Sequence, residues 1–140
     1  MEIKEVYRDL FSVDNKYHLA HCISSDCAMG AGIAVEFDRR FRLKSELLRY
    51  SEDMRQHPTC ILENRVLNLI TKDKYWHKPT YDTIRGSLEV MKETALRLNI
   101  EYIAMPRIGS GLDRLEWCKV RDIIEGVFED TNIKILVCRI

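Results

Sequence analysis

Short apolar runs alternate with longer amphipathic ones along the chain. The short runs are rich in β-branched and aromatic residues, which is typical of β-strands. There are six of them, at residues 3–7, 17–23, 59–62, 66–71, 102–105 and 133–138. The pattern therefore predicts a sheet of about six strands.

The amphipathic runs predict helices between these strands. Thr80 follows Pro79 and is a good N-cap residue. One apolar stripe follows it, made of Ile84, Leu88, Met91, Ala95 and Leu98. Similar stripes predict a helix over residues 116–129 and another from about residue 32 to about residue 54. Strands interleaved with helices predict an α/β sandwich.

Length and composition are those of an ordinary globular domain. The 140 residues are 46% hydrophobic and 31% charged, so the chain is long enough to bury a core. We find no linker, low-complexity tract or internal repeat. Residues 1–140 are therefore expected to form a single domain.

The charge balance limits the ways in which the protein can bind an anion. Its 22 basic and 22 acidic residues cancel, so no field of one sign draws nucleic acid or an anionic membrane to the surface. An anionic ligand would have to be held by local geometry.

Cysteine usage and hydropathy indicate the compartment. Five cysteines, an odd number without a CxxC pair, argue against a disulfide framework and against a zinc site. The first ten residues lack a signal core, and nowhere do about 18 apolar residues run together. We expect an intracellular protein, cytoplasmic or nuclear, that does not bind membranes and needs no metal or cofactor.

Residues 24–32, the first glycine loop, join a predicted strand to a predicted helix. Such a junction exposes backbone N–H groups at a positive helix end, where phosphate is stabilised. Gly30 and Gly32 would let the backbone approach a ligand closely, or they only form a tight turn. Val35 stands where a dinucleotide fingerprint has its third glycine, and no P-loop string occurs.

Residues 106–113, the second glycine loop, repeat the arrangement after the strand at residues 102–105. Two such loops can hold a diphosphate from both sides through backbone N–H groups. Lys72 ends another predicted strand; by itself, a lysine in that place is usually solvated, since an ammonium is not a nucleophile. Tyr75 and Trp76 follow it, and they either stack on a ligand or cover the edge of the core.

Several strings resemble the macrodomains, specifically the branch of the terminal ADP-ribose protein glycohydrolase, over nearly the whole chain. These strings are LAHCIS (19–24), MGAGIAV (29–35), LITK (69–72), HKPTY (77–81), MPRIG (105–109) and GLDRL (111–115). The resemblance implies an α/β three-layer sandwich with a central mixed sheet of about six strands flanked by helices. It also implies a single macrodomain that acts as a monomer.

The resemblance further implies how ADP-ribose is bound. Asp9 stands where the family has an acidic residue that binds the adenine amino group, although by itself Asp9 reads as a turn cap. Ser24 would lie near the distal ribose. The residues implied to contact the ligand are Asp9, Leu10, Ser24, Met29, Gly30, Ala31, Gly32, Ile33, Thr71, Pro106, Ile108, Gly109, Ser110, Gly111 and Leu112.

The catalytic pair of the family corresponds to Lys72 and Asp113. The implied reaction removes ADP-ribose from acidic side chains of mono-ADP-ribosylated proteins through a lysyl intermediate, with Asp113 as general acid and base. Deacylation of O-acyl-ADP-ribose is implied as well. Three alternatives stay open: hydrolysis of ADP-ribosylated nucleic acid, a non-catalytic ADP-ribose binding module, and a different nucleotide binder of doubly wound architecture. Ser25 and Ser110 depart from the family's pattern, and Ser25 leaves the leaving group undecided.

Overall fold

The structure is a computed structural model that describes residues 1–139. It confirms all six predicted strands, whose ends differ by at most one residue from the prediction. The strands are β1 (Glu2–Tyr7), β2 (His18–Ser24), β3 (Thr59–Glu63), β4 (Val66–Lys72), β5 (Tyr102–Met105) and β6 (Lys134–Arg139).

The six strands form one mixed sheet in the order β1-β6-β5-β2-β4-β3. Neighbouring strands are parallel, except that β3 runs antiparallel to β4. Parallel pairing brings the carboxyl ends of β2, β4 and β5 to the same edge of the sheet. The predicted α/β fold with a mixed sheet and flanking helices is therefore confirmed.

Two long helices cover one face of the sheet. They are α4 (Tyr81–Arg97) and α5 (Trp117–Phe128). The side chain of Thr80 accepts from the backbone N–H of Thr83, which confirms the predicted N-cap. The apolar stripes of both helices pack with β4, β5 and β6 in one core, except for Leu98, which follows the end of α4 and is exposed.

The other face carries three shorter helices, α1 (Ile33–Phe41), α2 (Leu43–Leu47) and α3 (Ser51–Met54). The prediction of one helix over residues 32–54 was wrong. Arg42 adopts a left-handed conformation, with φ of 52°, and ends α1. This conformation costs about 1–2 kcal/mol, whereas the bend fully buries Leu43 and Leu47, each worth about 2 kcal/mol or more.

The longest helix of the fold, α4, packs beside the sheet. Among residues 1–139, no helix is both long and apolar enough to span a bilayer.

Candidate active site

The carboxyl ends of β2, β4 and β5 open into a cleft of about 660 Å³. A cleft of this size suits a small organic ligand. Both glycine loops line it, as the sequence predicts. The predicted site residues that line it are Ser24, Met29, Gly30, Ala31, Gly32, Ile33, Lys72, Pro106, Ile108, Gly109, Gly111, Leu112 and Asp113.

Two predicted residues lie at the end of β1, outside the lining of the cleft. Oδ1 of Asp9 accepts from the backbone N–H of Phe11 at 3.0 Å and caps a short 3₁₀ turn. Leu10 is buried beneath that turn. The capping role of Asp9 is thus realised, and the exposed carboxylate remains at the carboxyl edge of the sheet. Its contact with adenine stays a prediction.

Two further predicted residues stand behind the wall of the cleft. Thr71 is buried in β4, one residue before Lys72. The hydroxyl of Ser110 donates to the carbonyl of Arg107 at 2.7 Å, which tightens the second glycine loop from within. Neither residue lines the cleft, and their contact with a ligand stays a prediction.

The first glycine loop delivers the start of α1 to the cleft. Gly32 is the N-cap residue, with φ of 62°, and it supplies no side-chain acceptor to the first turn. Ile33 and Ala34, which begin α1, line the cleft. The positive end of the helix therefore faces the cavity without a capping side chain, a favourable arrangement for a phosphate.

Asp26 holds the first glycine loop in shape from behind. Its Oδ1 accepts from the hydroxyl of Ser24 and from the N–H of Ala28, and its Oδ2 accepts from the N–H of Tyr75. Partial burial raises the pKa of the Asp26 carboxyl, but these hydrogen bonds outweigh it and the pKa is lowered on balance. All three donors belong to residues that line the cleft. The sequence reasoning did not single out Asp26.

The second glycine loop turns on Gly109, which has φ of 75°. This left-handed conformation favours glycine, and a Cβ at this position would also lie 3.2 Å from Cδ1 of Leu115, which would have to shift slightly. The carbonyl of Gly109 accepts from the N–H of Leu115 at 2.7 Å. At the base of the loop, Nε of Arg107 donates to Glu5 at 2.9 Å.

Lys72 and Asp113 meet inside the cleft. Lys72 is the last residue of β4, and its Nζ donates to Oδ1 of Asp113 at 2.8 Å. Their side chains are 14% and 15% exposed. The thiol of Cys22 lies near this pair, and burial together with the Asp113 carboxylate raises its pKa well above the usual range. A raised pKa disfavours the thiolate form of Cys22, which is the nucleophilic form of a cysteine.

His21 is a fully buried residue of β2. Its Nε2 lies 2.7 Å from Oδ1 of Asn68, and its ring stacks on Phe37 with centroids 3.9 Å apart. The amide of Asn68 donates to the carbonyls of Ile61 and Val66, so Oδ1 is the acceptor and His21 carries its proton on Nε2. Complete burial lowers the pKa of His21 to about 4, so the ring is neutral.

The segment between β4 and α4 contributes two residues to the lining of the cleft. The sequence left the position of one of them, Tyr75, open and did not single out the other, Lys78. Tyr75 and Trp76 are 63% and 62% exposed, so neither covers the edge of the core, and Tyr75 lines the cleft. Lys78 also lines it, and its Nζ donates to the carbonyl of Leu112 at 2.7 Å. No local pattern marks Lys78, because its partner is far away in the sequence.

The chain was compared with protein-family models, with curated proteins and with solved structures. No protein-family model matches the chain. Over 136 residues it is 46% identical to the ADP-ribose glycohydrolase OARD1 of Homo sapiens, covering 96% of this chain and 90% of that relative. Its fold is similar to the solved macrodomain of Thermus aquaticus DarG, with a TM-score of 0.87, 20% identity and coverage of 99% and 98%. Thermosipho africanus DarTG, solved in complex with ADP-ribose, has a TM-score of 0.81 and 17% identity, over 98% of this chain and 41% of that one.

Proposed function

Since the chain belongs to the macrodomain family, and within it to the branch of the ADP-ribose glycohydrolases, we propose that it is an ADP-ribosyl hydrolase. Its proposed substrates are mono-ADP-ribosylated proteins modified on acidic side chains. O-acyl-ADP-ribose is a second proposed substrate, because it presents the same kind of ester at the distal ribose.

The two glycine loops are proposed to hold the diphosphate between them. The uncapped first turn of α1 supplies N–H groups from one side, and the loop around Gly109 supplies them from the other. This accounts for anion binding by a chain of zero net charge. Ser24, buried at the wall next to Lys72, is proposed to lie near the distal ribose.

The first chemical step is proposed to form a covalent bond between Lys72 and the distal ribose. Asp113 takes a proton from the ammonium of Lys72 and frees the lone pair on Nζ. Nζ then bonds to C1″ of the ribose as the bond from C1″ to the ester oxygen breaks. The acidic side chain leaves with that electron pair and receives the proton from Asp113.

The second step is proposed to release ADP-ribose with water. The Asp113 carboxylate takes a proton from a water molecule while the water oxygen bonds to C1″. The bond from C1″ to Nζ breaks, and the electron pair returns to Lys72. Asp113 then returns its proton to Lys72, which restores the ion pair.

The observation that carries this proposal is the contact of 2.8 Å between Lys72 and Asp113, which faces the cleft. When the ribose ring of the Lys72 adduct opens, the bond from C1″ to O4″ breaks, a proton moves from Nζ to O4″, and a C=N bond forms that borohydride reduces. We therefore expect borohydride trapping with a glutamate-ADP-ribosylated protein to place a reduced adduct on Lys72 in a mass map. Lys72→Ala should abolish the adduct and lower kcat by about 10⁴-fold, whereas Lys92→Ala, which breaks a remote pair with Asp130, should change neither. Hydrolysis by Lys72→Ala at the wild-type rate would disprove the assignment.

A second candidate substrate is ADP-ribosylated nucleic acid. The exposed ring of Tyr75 at the cleft, beside Trp76, favours it because aromatic side chains stack on bases. Release of ADP-ribose from modified glutamate should be measured beside release from modified thymidine and guanosine. The larger kcat/KM identifies the preferred substrate. ADP-ribose binding without release from any of them would instead identify a binding module.

The cellular setting is part of the same proposal. We place the protein inside the cell, in the cytoplasm or the nucleus, where its five free cysteines stay reduced. The whole chain, residues 1–140, is proposed to be one macrodomain that acts as a monomer. Sedimentation of the purified protein and fractionation of cells test these two points.

A further inference from the structure

The second glycine loop reaches the protein surface near its end, at residues 111 and 112. Gly111 and Leu112 are exposed, and a Cβ added to Gly111 would meet no atom within 4 Å. Within the loop, the N–H of Arg114 donates to the carbonyl of Gly111 at 3.1 Å, which forms a turn with Leu112 and Asp113 at its centre. The proposed general acid therefore directly follows two exposed residues, although its own side chain is mostly buried.

Two side chains from outside the loop connect this turn to the body of the protein, among the residues that the structure describes. Both are lysines of the segment that leaves β4. Nζ of Lys72 donates a hydrogen bond to the carboxylate of Asp113, and Nζ of Lys78 donates one to the carbonyl of Leu112 at 2.7 Å. A charged donor makes the second bond stronger than one between neutral groups.

Lys78 lies two residues before the N-cap of helix α4. The next residue, Pro79, is buried, and Thr80 caps α4 through a reciprocal pair of hydrogen bonds with Thr83. The backbone of Lys78 therefore leads directly into the capped start of the longest helix, and its side chain reaches the carbonyl of Leu112. A lysine in this place can hold the turn at a defined distance from the sheet.

These contacts matter most after the first chemical step. When Nζ of Lys72 has bonded to C1″, it is a secondary ammonium with one N–H group fewer, and its hydrogen bond to Asp113, one of the two connections to the turn, has to open so that water can reach the carboxylate. The bond from Lys78 to Leu112 then remains. Asp113 has to activate water at this stage, so its position depends on Lys78.

We propose that Lys78 is a positioning residue that holds Asp113 in place while the lysyl intermediate is hydrolysed. This inference rests on the proposed function. Lys78 contributes no atom to the reaction and acts through the backbone carbonyl that precedes Asp113.

The test compares three variants of the full chain with the wild type, on a glutamate-ADP-ribosylated protein. Lys78→Met keeps the length of the side chain and removes its charge, Lys78→Arg keeps a charged donor, and Lys74→Met is the matched control in the same segment. Steady-state kcat and KM are measured, and the fraction of protein carrying the Lys72 adduct is measured by quenching, reduction and mass spectrometry.

We expect Lys78→Met to lower kcat about tenfold, which corresponds to one charge-assisted hydrogen bond. KM should fall with kcat, so that kcat/KM stays nearly constant, because only the second of the two steps is slowed. The adduct should accumulate to a larger fraction than in the wild type, because its hydrolysis is slowed more than its formation. Lys78→Arg should restore most of kcat, and Lys74→Met should resemble the wild type.

Two results would overturn the inference. One is a Lys78→Met variant whose kcat and adduct fraction equal those of the wild type. The other is a rise in KM with unchanged kcat, which would make Lys78 a ligand-binding residue. A wild-type protein that forms no adduct and releases no ADP-ribose would instead contradict the proposed function itself.

Discussion

Strand β4 contributes to two polar pairs with opposite properties. Asn68, in its middle, pairs with His21 of β2 inside the sheet, and Lys72, at its end, pairs with Asp113 in the cleft. The first pair is neutral and fully buried. The second consists of ionisable groups whose side chains keep about a seventh of their surface exposed.

This difference shows how one strand serves both structure and chemistry. The ring of His21 is fixed by stacking on Phe37 and by Asn68, which is itself bonded to two backbone carbonyls. The carboxylate of Asp113 accepts a hydrogen bond from Lys72, and the backbone carbonyl that precedes it accepts one from Lys78. A pair that must open to admit a substrate is suited to attachment through such hydrogen bonds.

The largest expected difference between the Lys72–Asp113 pair and the His21–Asn68 pair is in their effect on activity. Asp113→Asn keeps the shape of the side chain but removes the group that is proposed to accept and return protons. We expect kcat for release of ADP-ribose from modified glutamate to fall by about a thousandfold. Because an amide still fills the same space, the affinity for free ADP-ribose, measured by calorimetry, should change by less than about threefold.

The control for that variant is Asp130→Asn. Asp130 pairs with Lys92 at 2.7 Å on the surface, so the same chemical change is made at a lysine–aspartate pair away from the cleft. Its kcat should equal that of the wild type. If Asp113→Asn retained more than a tenth of the wild-type kcat, the reactive character assigned to this pair would be wrong.

The parts of the fold that were predicted correctly have local signals. Strand β5 and the Thr80 cap follow from a short apolar run and from a single hydroxyl after Pro79. The break at Arg42 was missed, because it depends on burying Leu43 and Leu47 against a sheet that comes later in the chain. Local patterns do not contain that information.

The residues of the candidate site likewise fall into those with a local sequence signal and those without one. The glycine loops were recognised from their composition, whereas the roles of Lys72 and Asp113 came from resemblance, since a lysine at a strand end normally reads as solvated. Asp26 and Lys78 were missed because their contacts join segments that are distant in the sequence. Such contacts are set by the tertiary fold and leave no mark in the spacing of residues.

The buried pair of His21 and Asn68 should make the free energy of unfolding depend on pH. The pKa of His21 falls from 6.5 to about 4 on folding, so between these values the unfolded chain binds a proton that the folded protein does not. Stability therefore decreases as the pH falls through this window, by about 3 kcal/mol in total from this one residue. Urea unfolding at pH 7 and at pH 4.5 measures the decrease.

His21→Gln isolates that contribution, because an amide can donate to Asn68 without binding a proton. Its loss of stability between the two pH values should be smaller than that of the wild type by about 2–3 kcal/mol. His77→Gln, at an exposed position after β4, should keep the wild-type dependence. Equal losses in all three proteins would contradict the neutral state assigned to His21.

The smallest expected effect is on stability when both members of the reactive pair are made neutral. In Lys72→Met with Asp113→Asn, the cost of desolvating two charges disappears together with their attraction, and these terms nearly cancel for a partly exposed pair. We expect the free energy of unfolding in urea at pH 7 to change by less than about 1 kcal/mol, although activity is lost. Lys72→Met alone should cost more, since it leaves the Asp113 carboxylate unpaired. A loss above about 2 kcal/mol in the double variant would mean that this pair also stabilises the fold, and the contrast with His21 and Asn68 would no longer hold.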